Sequence, residues 1–562
     1  MGLAFAQATK KSPDFSGFGA GTPVQVLVQF DSPLDNSLLA ALTGKGAAPV
    51  KTFKHIKAGV FQLPAGIADS VTGLPGIKYL SIDRPVQSHL DISVPTVGAD
   101  LAHRYGWTGQ GIGVAVIDSG ISPHTDLNVA SGAQSRVVYS QSFVAGEPSA
   151  ADRYGHGTHV AGIIAGNGAM SRGTSRNLSG IAPQVNIVNL RALDEHGAGT
   201  DSSVIAAIDE AIELKNQYNI RVINLSLGRS IYESFQYDPL CQAVEEAYRA
   251  GIVVVVAAGN NGRDDSAGNQ GYGTISAPGN DPFVITVGAM NAEGTPTKAD
   301  DLIATYSSKG PTAGDHIVKP DILAPGNKVT SLRVPGSTLD LAFPANQVRP
   351  ASYGASGNPA YFTLSGTSMA TPVVSGAAAL LFEQNPSLTP DEIKAILMLT
   401  ASKTFPAVST ILDPATGVRY TEHYDLFTVG AGYLDIYAAL SRSALAARLT
   451  GAAVSPKAVY NSATKTVVMM ADSSPYATAV TWGSSITWGD TAVWGAANLS
   501  QSQSISWGDT ITWGDTITWG DGLSWGDVAT QGFSAIWGSS ISWGDSTQLT
   551  EETLAGKGDP IL

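Results

Sequence analysis

An aspartate, a histidine and a serine stand where predicted strands end or helices begin. Asp118 ends the apolar run GVAVID, His156 lies in the small-residue segment GHGTHVAGIIAG, and Ser368 lies in GTSMATP before a long apolar stretch. A serine becomes a nucleophile when a base takes its proton and a third group orients that base. The three residue types together therefore indicate acyl transfer through a serine nucleophile.

Each residue alone has a simpler explanation. An aspartate after a strand is often a loop or cap residue, and a serine that opens a helix is often its N-cap. His156 and His159 form an i, i+3 pair that could bind a metal ion, but no third ligand with a zinc-site signature follows them. A cap and a metal pair are thus the alternatives to a catalytic triad.

The elements that must position these side chains alternate along the chain between Thr108 and about Arg448. Apolar strands are followed by amphipathic helices: GIGVAVID by HGTHVAGIIAG, VNIVNLRAL by SSVIAAIDEAIELKNQ, and RVINLSLG by CQAVEEAYRAG. This alternation predicts an α/β fold with a parallel sheet covered by helices on both faces. Ligands of such sheets bind outside the carboxyl ends of the strands, which is where Asp118 falls.

Three segments, DSG, GHGTHVAG and SGTSMATP, resemble the signature segments of the subtilase family. Their order, Asp then His then Ser, is the order known for subtilisin. Further matching segments are VINLSLG, VVVAAGN, SSKGP, KPDILAPG and VGAGYLDI. The resemblance covers residues 94–448. It implies a subtilisin-like three-layer fold, a parallel sheet flanked by helices, and a serine endopeptidase that acts on proteins or peptides without a cofactor.

The resemblance also implies a role for individual residues. Asp118, His156 and Ser368 would form the catalytic triad. Asn260, in AAGN after an apolar strand, would donate a hydrogen bond to the oxyanion together with the Ser368 backbone N–H. The alternative for Asn260 is a turn asparagine with left-handed backbone. A non-catalytic subtilase would need none of these four residues.

Substrate recognition by an extended cleft follows from the same resemblance. A peptide would lie as an added strand between two segments, Ser226-Leu227-Gly228 and Ala257-Ala258-Gly259. Their small residues favour a roomy apolar pocket and a large hydrophobic P1 residue. Asp201 occupies a place where many relatives have an aromatic residue, so the outer subsite preference stays open, a basic residue included.

A calcium site at Asp126 is a further expectation, because Asp126 in PHTDL matches an acidic calcium ligand of the family. The partner loop differs from that of the family. Relatives have a short Asn-rich turn, whereas this chain has GNGAMSRGTSRNLSG with two arginines. A hard cation needs several oxygen ligands, and the sequence does not identify the set.

Two segments precede the predicted peptidase. Residues 1–22 contain MGLAFAQA, where Ala6-Gln7-Ala8 is similar to a signal-peptidase site, although a charged n-region and a full apolar h-region are missing. We interpret this segment as a signal remnant and linker, with a frayed terminus as the alternative. Residues 23–93 have an α+β pattern that resembles the inhibitory propeptide of the family. The chain is therefore predicted to be a self-inhibited precursor whose own propeptide is a partner.

Tryptophan repeats fill the segment 455–562, which has nine of the ten tryptophans, most of them six residues apart and followed by Gly. In units such as TITWGD an even period keeps Ile and Trp on one face of a strand, and Gly-Asp is a turn signal. We predict a β-rich repeat module, separate from the enzyme and without catalytic groups. It could contact glycans or the cell surface, or it could be a spacer.

Composition limits the partners and the compartment. With 33 Lys and Arg against 47 Asp and Glu the net charge is -14, which argues against nucleic acid. Cys241 is the single cysteine, so the chain has no internal disulfide and no Cys-based metal motif. No apolar stretch approaches the ~18 residues of a membrane span. We expect a secreted or cell-surface protein of bacterial origin without a transmembrane segment.

Overall fold

The computed structural model describes the greater part of the chain up to residue 470 and short pieces beyond it. The described residues are 10–11, 15, 18–52, 57–82, 92–129, 132, 134–266, 269–406, 408–413, 417–443, 452–461, 466–470, 504–505, 546–548 and 559. Two compact units are present, Met1–Ser88 and His89–Leu562. Residues 1–9, most of the tryptophan repeats and the segment 83–91 lie outside the described residues.

The first unit is a small α+β fold with its own core. Its elements are β1 (Pro23–Phe30), α1 (Asn36–Gly44), β2 (Ala48–Thr52), β3 (Ala58–Pro64), α2 (Ala68–Thr72) and β4 (Ile77–Ile82). The strands form an antiparallel sheet in the order β2-β3-β1-β4. Val26, Val28 and Phe30 alternate with more exposed residues along β1 and are buried in the core, as the period of two in a strand requires.

The second unit contains the remaining elements. Its first half has α3 (Ser93–Thr96), α4 (Ala99–Arg104), β5 (Gly113–Asp118), β6 (Val137–Ser142), α5 (His156–Ala165), β7 (Asn186–Arg191), β8 (Ala198–Thr200), α6 (Asp201–Glu213), α7 (Lys215–Tyr218), β9 (Ile220–Leu225), α8 (Pro239–Arg249), β10 (Val253–Ala257), β11 (Ile285–Asn291) and β12 (Leu302–Ile303). Its second half has β13 (Ile322–Pro325), β14 (Val329–Leu332), α9 (Thr338–Ala342), β15 (Gln347–Val348), β16 (Tyr361–Leu364), α10 (Thr367–Gln384), α11 (Pro390–Thr400), β17 (Val408–Leu412), β18 (Arg419–His423), α12 (Leu426–Val429), α13 (Ile436–Ser441), β19 (Lys457–Asn461), β20 (Thr466–Met470), β21 (Ser504–Ile505) and β22 (Ser546–Gln548).

A central sheet organises this second unit. Its strand order is β12-β11-β10-β9-β5-β7-β6, with β13 paired to β11. Helices α5 and α10 pack together as one layer, and α6 and α8 form another. The described sheet is parallel except at β12, which runs antiparallel to β11. The predicted all-parallel sheet is wrong at this edge, because the link from β11 to β12 has no crossover helix and a parallel return needs one.

The helix α10 runs through the middle of the core. Its residues from Thr367 to Phe382 are all buried, and it packs against β9, β10 and β11. A helix that is apolar on every side is stable only when it is surrounded, and the sequence of α10 has that character. The start of this helix is thereby fixed relative to the carboxyl ends of the strands.

The peptidase core extends past its predicted end. Ser455, where we placed the start of the repeat module, is fully buried and donates to Asp321 Oδ1 at 2.6 Å while accepting from Lys394 Nζ at 2.8 Å. The Pro456 carbonyl accepts from the Val318 N–H at 2.8 Å. The structure therefore places residues 453–458 inside the second unit, where the Ser455 hydroxyl joins the buried ion pair of Lys394 and Asp321.

Candidate active site

Asp118 and His156 meet where β5 ends and α5 begins. His156 Nδ1 lies 2.9 Å from Asp118 Oδ1 and 3.0 Å from Oδ2, and both side chains are buried. The Ser119 N–H donates to Asp118 Oδ1 at 2.7 Å, which fixes the carboxylate. Because a carboxylate only accepts, the imidazole proton lies on Nδ1 and Nε2 is the basic nitrogen.

Gly157 allows the helix to come this close to the strand. A Cβ at this position would lie 2.2 Å from the Gly120 carbonyl oxygen and 3.1 Å from Asp118 Oδ1. Any larger residue would push the start of α5 away from β5. The glycine beside His156 thus sets the distance between the aspartate and the histidine.

Asp152 is a positioning residue that the sequence reasoning missed. Its buried carboxylate accepts from Ser119 Oγ at 2.9 Å, from the Gly155 N–H at 2.7 Å and from the Thr158 N–H at 2.8 Å. It therefore ties the turn after Asp118 to the first turn of α5. Burial raises the pKa of Asp152, whereas the two backbone donors lower it. The available signal was a carboxylate just upstream of a predicted helix start.

Ser368 is the second residue of α10, and Gly366 occupies the N-cap position. The N-cap explanation for Ser368 is therefore wrong. Its Oγ donates to the Ser226 carbonyl at 3.2 Å. Pro372 lacks the N–H that would bond to the Ser368 carbonyl in a regular helix, and Ser226 Oγ supplies that bond instead at 2.9 Å. The start of α10 is thus held on the segment that follows β9.

Asn260 is hydrogen-bonded to Thr367, the residue that precedes Ser368. Asn260 Oδ1 accepts from the Thr367 N–H at 2.9 Å and from Thr367 Oγ1 at 3.1 Å. This fixes the oxygen end of the amide and makes the nitrogen the end that can donate to a ligand. Gly259 has a φ of 108°, while Asn260 is not among the residues with positive φ. The left-handed turn explanation for Asn260 is therefore wrong.

The two predicted substrate segments follow neighbouring strands. Ser226-Leu227-Gly228 follows β9, and Ala257-Ala258-Gly259 comprises the end of β10 and the residues after it. These strands are parallel and adjacent, with Val256 opposite Leu225, so both segments lie at the same edge of the sheet. The structure therefore brings the two segments, Asn260 and the start of α10 together.

Asp201 has a cationic partner in the structure. Arg229 Nε donates to Asp201 Oδ1 at 3.0 Å and to Oδ2 at 2.9 Å, and Arg229 Nη2 donates to Asp238 Oδ1 at 2.8 Å. Arg229 comes directly after the substrate segment residue Gly228. Arg229 therefore bridges the carboxylates of Asp201 and Asp238 at the end of the predicted substrate segment.

Asp126 does not have the surroundings of a calcium ligand. Its Oδ1 accepts from the Met170 N–H at 2.8 Å, and its Oδ2 accepts from the Tyr361 hydroxyl at 2.8 Å. The buried guanidinium of Arg136 donates to the Asp126 carbonyl at 2.8 Å. Among the described residues no group of three or more His, Cys, Asp or Glu could hold a metal ion. Hydrogen-bond donors and a cation surround Asp126, so its donor set does not fit a hard cation.

Arg136 is therefore predicted to supply stability at this place. Arg136→Met should lower the free energy of unfolding by about 3 kcal/mol or more, because the buried carbonyls of Asp126, Val185 and Ala165 lose their donor and each unsatisfied buried group costs about 1–3 kcal/mol. Urea unfolding measures this. The control is Arg153→Met, since the Arg153 side chain is 57% exposed and its carboxylate partners lie 3.8–3.9 Å away. A chelator that destabilises the wild type as much as Arg136→Met does would contradict the prediction.

His159 has a different partner from His156. Its Nε2 bonds to the Phe362 carbonyl at 3.1 Å, and burial lowers its pKa to about 3. The two histidines of the motif therefore serve separate purposes, one beside Asp118 and one in a hydrogen bond from α5 to β16. A shared metal ion is not what this geometry provides.

The chain is similar to known proteases over most of the predicted peptidase. The Subtilase family model matches residues 109–432. The chain is 40% identical over 345 residues to Serine protease AprX of Bacillus subtilis (strain 168), which covers 59% of this chain and 71% of that protein. It is 35% identical over 310 residues to Subtilisin DY of Bacillus licheniformis, 55% of this chain and 90% of the relative. Over 367 residues it is 34% identical to Subtilisin E of Bacillus subtilis (strain 168), 64% of this chain and 80% of the relative.

The chain belongs to the subtilase family. It is a subtilisin-like serine endopeptidase, a hydrolase of peptide bonds. The predicted enzyme class is thereby confirmed.

Proposed function

We propose that the protein hydrolyses peptide bonds through an acyl-enzyme on Ser368, with His156 as the base and Asp118 as its orienting partner. The observation that carries this assignment is the 2.9 Å contact between His156 Nδ1 and Asp118 Oδ1. It selects the tautomer in which Nε2 can take a proton. A buried carboxylate also stabilises the imidazolium that forms when it does so.

The reaction then proceeds in two halves. Ser368 Oγ attacks the carbonyl carbon of the scissile bond while its proton passes to His156 Nε2. The tetrahedral intermediate collapses, the C–N bond breaks, and the leaving amine takes the proton from His156. A water molecule repeats the attack on the ester with His156 as the base, and Ser368 leaves with its proton restored. No metal or cofactor takes part in either half.

Oxyanion stabilisation comes from Asn260 and the start of α10. The Ser368 N–H is near the helix N-terminus, where backbone donors have no intrahelical acceptor and the helix dipole favours negative charge. The Asn260 amide is held by Thr367, so its donor is preorganised before the charge develops. Donors that need no reorganisation give the largest stabilisation of the transition state.

Asn260→Ala should lower kcat by about 10²–10³-fold with little change in KM, a magnitude measured on the oxyanion donor of subtilisin itself. Steady-state hydrolysis of a chromogenic peptide gives both constants. Asn261→Ala is the matched control, because Asn261 is the exposed neighbour and its N–H, not its side chain, bonds to Ser308 Oγ. Equal activity of the two variants would remove Asn260 from the proposed site.

The substrate is proposed to be an extended protein or peptide segment. It would bind between Ser226–Gly228 and Ala257–Gly259, whose main chains are at the sheet edge beside Ser368. The small residues Gly228, Ala257 and Ala258 favour a large apolar P1 side chain. Protein substrates of varied sequence are thereby accepted through main-chain contacts.

The first unit is proposed to be the inhibitory propeptide. Its support is a core of its own and a four-stranded α+β fold that precedes the peptidase sequence. A peptidase rich in nonlocal parallel pairings folds slowly, and a docked domain that binds only the folded form stabilises it. The maturation bond is proposed to lie between Pro85 and Val94, and sequencing of the mature N-terminus tests this placement.

We also propose that the protein is secreted and that its repeats contact glycans or the cell surface. No helix in the described parts of the chain is long and apolar enough to cross a membrane. The matched relatives are proteins of bacilli, which supports a bacterial origin. The predicted repeat array lies for the most part outside the described residues, and its glycan or cell-surface contact stays a prediction.

A further inference from the structure

Asp559 lies beyond the tryptophan repeats, yet it is fully buried in the second unit. Its carboxylate accepts from Arg263 Nη2 at 2.7 Å and from the backbone N–H and Oγ1 of Thr305, both at 2.7 Å. Its own N–H donates to Asn327 Oδ1 at 2.9 Å, and its carbonyl accepts from Asn327 Nδ2 at 3.0 Å. The peptidase unit therefore binds both the charge and the main chain of this residue.

The three partners of Asp559 are themselves held in place. Arg263 Nε donates to Thr305 Oγ1 at 2.7 Å, and its guanidinium lies 4.9 Å from the centre of the Tyr420 ring. Asn327 Nδ2 also donates to Asn291 Oδ1 at 2.9 Å. A buried carboxylate is costly unless it is paired and hydrogen-bonded, and here all of its oxygens are satisfied. The arrangement is a built binding site for the carboxylate and the main chain of an aspartate.

This binding site adjoins the loop that carries Asn260. The segments 259–263 and 305–308 lie side by side. The Ser308 N–H donates to the Gly259 carbonyl at 2.9 Å, and the Gly262 N–H donates to the Tyr306 carbonyl at 2.8 Å. Asp559 accepts hydrogen bonds from Arg263 at the end of the first segment and from Thr305 at the start of the second. A shift of either segment would move the Asn260 amide, because Asn260 is only three residues from Arg263.

We propose that Arg263, Thr305 and Asn327 form a receptor for Asp559, and that bound Asp559 is a positioning residue for the Asn260 loop. The inference rests on the oxyanion role proposed above for Asn260. It goes beyond that role because it makes Asp559, which follows the tryptophan repeats in the sequence, part of the catalytic unit. The expected separability of residues 455–562 from the enzyme is then wrong at Asp559.

A second contact of the same region supports the receptor. The strand β22 pairs antiparallel with β8, with Ser546 opposite Thr200 and Gln548 opposite Ala198. On the other side of the repeats, the Ala458 N–H donates to the His316 carbonyl at 2.8 Å. Described residues before the repeats (Ala458) and after the tryptophan positions (Ser546–Gln548) thus both contact the second unit.

The test uses the full chain with Asp559→Ala and the milder Asp559→Asn. We expect kcat on a small peptide to fall about tenfold or more in Asp559→Ala with KM within about twofold, since misplacement of a catalytic group by 1 Å can cost about 10²-fold. Amide hydrogen exchange at residues 259–263 should become faster. The matched control is Asp515→Ala, which removes the aspartate of a Gly-Asp pair within the repeats.

Rescue in trans separates positioning from general stability. A synthetic peptide of residues 557–562 should restore kcat of Asp559→Ala, and the same peptide with Asn at position 559 should not. A variant with a lower unfolding temperature but unchanged kcat per folded molecule would overturn the proposal, as would failure of the peptide to rescue. If Asn260→Ala is inactive while Asp559→Ala keeps full kcat, only the receptor proposal fails; if Asn260→Ala is fully active, the proposed oxyanion site fails first.

Discussion

Ser368→Ala is expected to lower kcat by about 10⁶-fold, the magnitude measured on subtilisin itself when its nucleophile is removed. The physical reason is that the variant lacks the atom that forms the acyl intermediate, and no other hydroxyl takes the same place at the start of α10. The helix should form as before, since its N-cap is Gly366. Hydrolysis of a chromogenic peptide by purified protein measures the loss.

The maturation state of Ser368→Ala is a second readout of the same variant. If the chain cleaves its own propeptide, the variant should accumulate as an uncleaved precursor, and N-terminal sequencing will show it. Ser375→Ala is the control on the same helix, where the lost bond to Asn224 Oδ1 at 2.8 Å should cost about 1–3 kcal/mol of stability but no activity. Normal processing of Ser368→Ala without a helper protease would contradict self-maturation.

Asp118→Asn is expected to lower kcat by about 10⁴-fold while the fold is retained. The Ser119 N–H donates to Oδ1, so the new amide nitrogen should replace Oδ2, 3.0 Å from His156 Nδ1, while the neutral amide oxygen at the Oδ1 position, 2.9 Å away, is a weaker acceptor than the carboxylate. An amide nitrogen donates to Nδ1 and moves the imidazole proton to Nε2. The base is then in the wrong tautomer to accept the proton of Ser368.

The comparison variant for this change is Asp209→Asn, which makes the same substitution at an exposed position of α6. It should keep full kcat and KM. Activity of Asp118→Asn within tenfold of the wild type, in protein shown to be folded by its thermal transition, would mean that Asp118 does not set the tautomer of His156.

The C-terminal boundary of the peptidase lies beyond the position that the change in composition predicts. The change to Ser, Thr, Gly and Trp after residue 455 predicted a module separate from the enzyme, whose removal would leave hydrolysis within a few-fold of the full chain. Ser455 instead bonds to Asp321 and Lys394 in the core, and Asp559 bonds to Arg263. A truncation near Arg448 removes these hydrogen-bond partners of Asp321, Lys394 and Arg263, so it should destabilise the peptidase rather than only change its location.

The sequence by itself determined the local setting of the reactive side chains. Asp118 at the end of a strand and His156 and Ser368 in the first turns of helices follow from hydrophobic period and from glycines, which act over a few neighbouring residues. The same local patterns predicted the helix layers and the order of strands and helices. They did not predict the antiparallel edge at β12, where the link from β11 has no crossover helix.

Only the tertiary structure decided which distant groups meet. The Thr367 bond that orients Asn260 joins residues 107 apart, and the Arg263–Asp559 bond joins residues 296 apart. The structure places the cationic side chain of Arg136 beside Asp126, where the family pattern predicted calcium. Such contacts depend on how the sheet and its loops pack in three dimensions, and no periodicity or spacing along the chain encodes them.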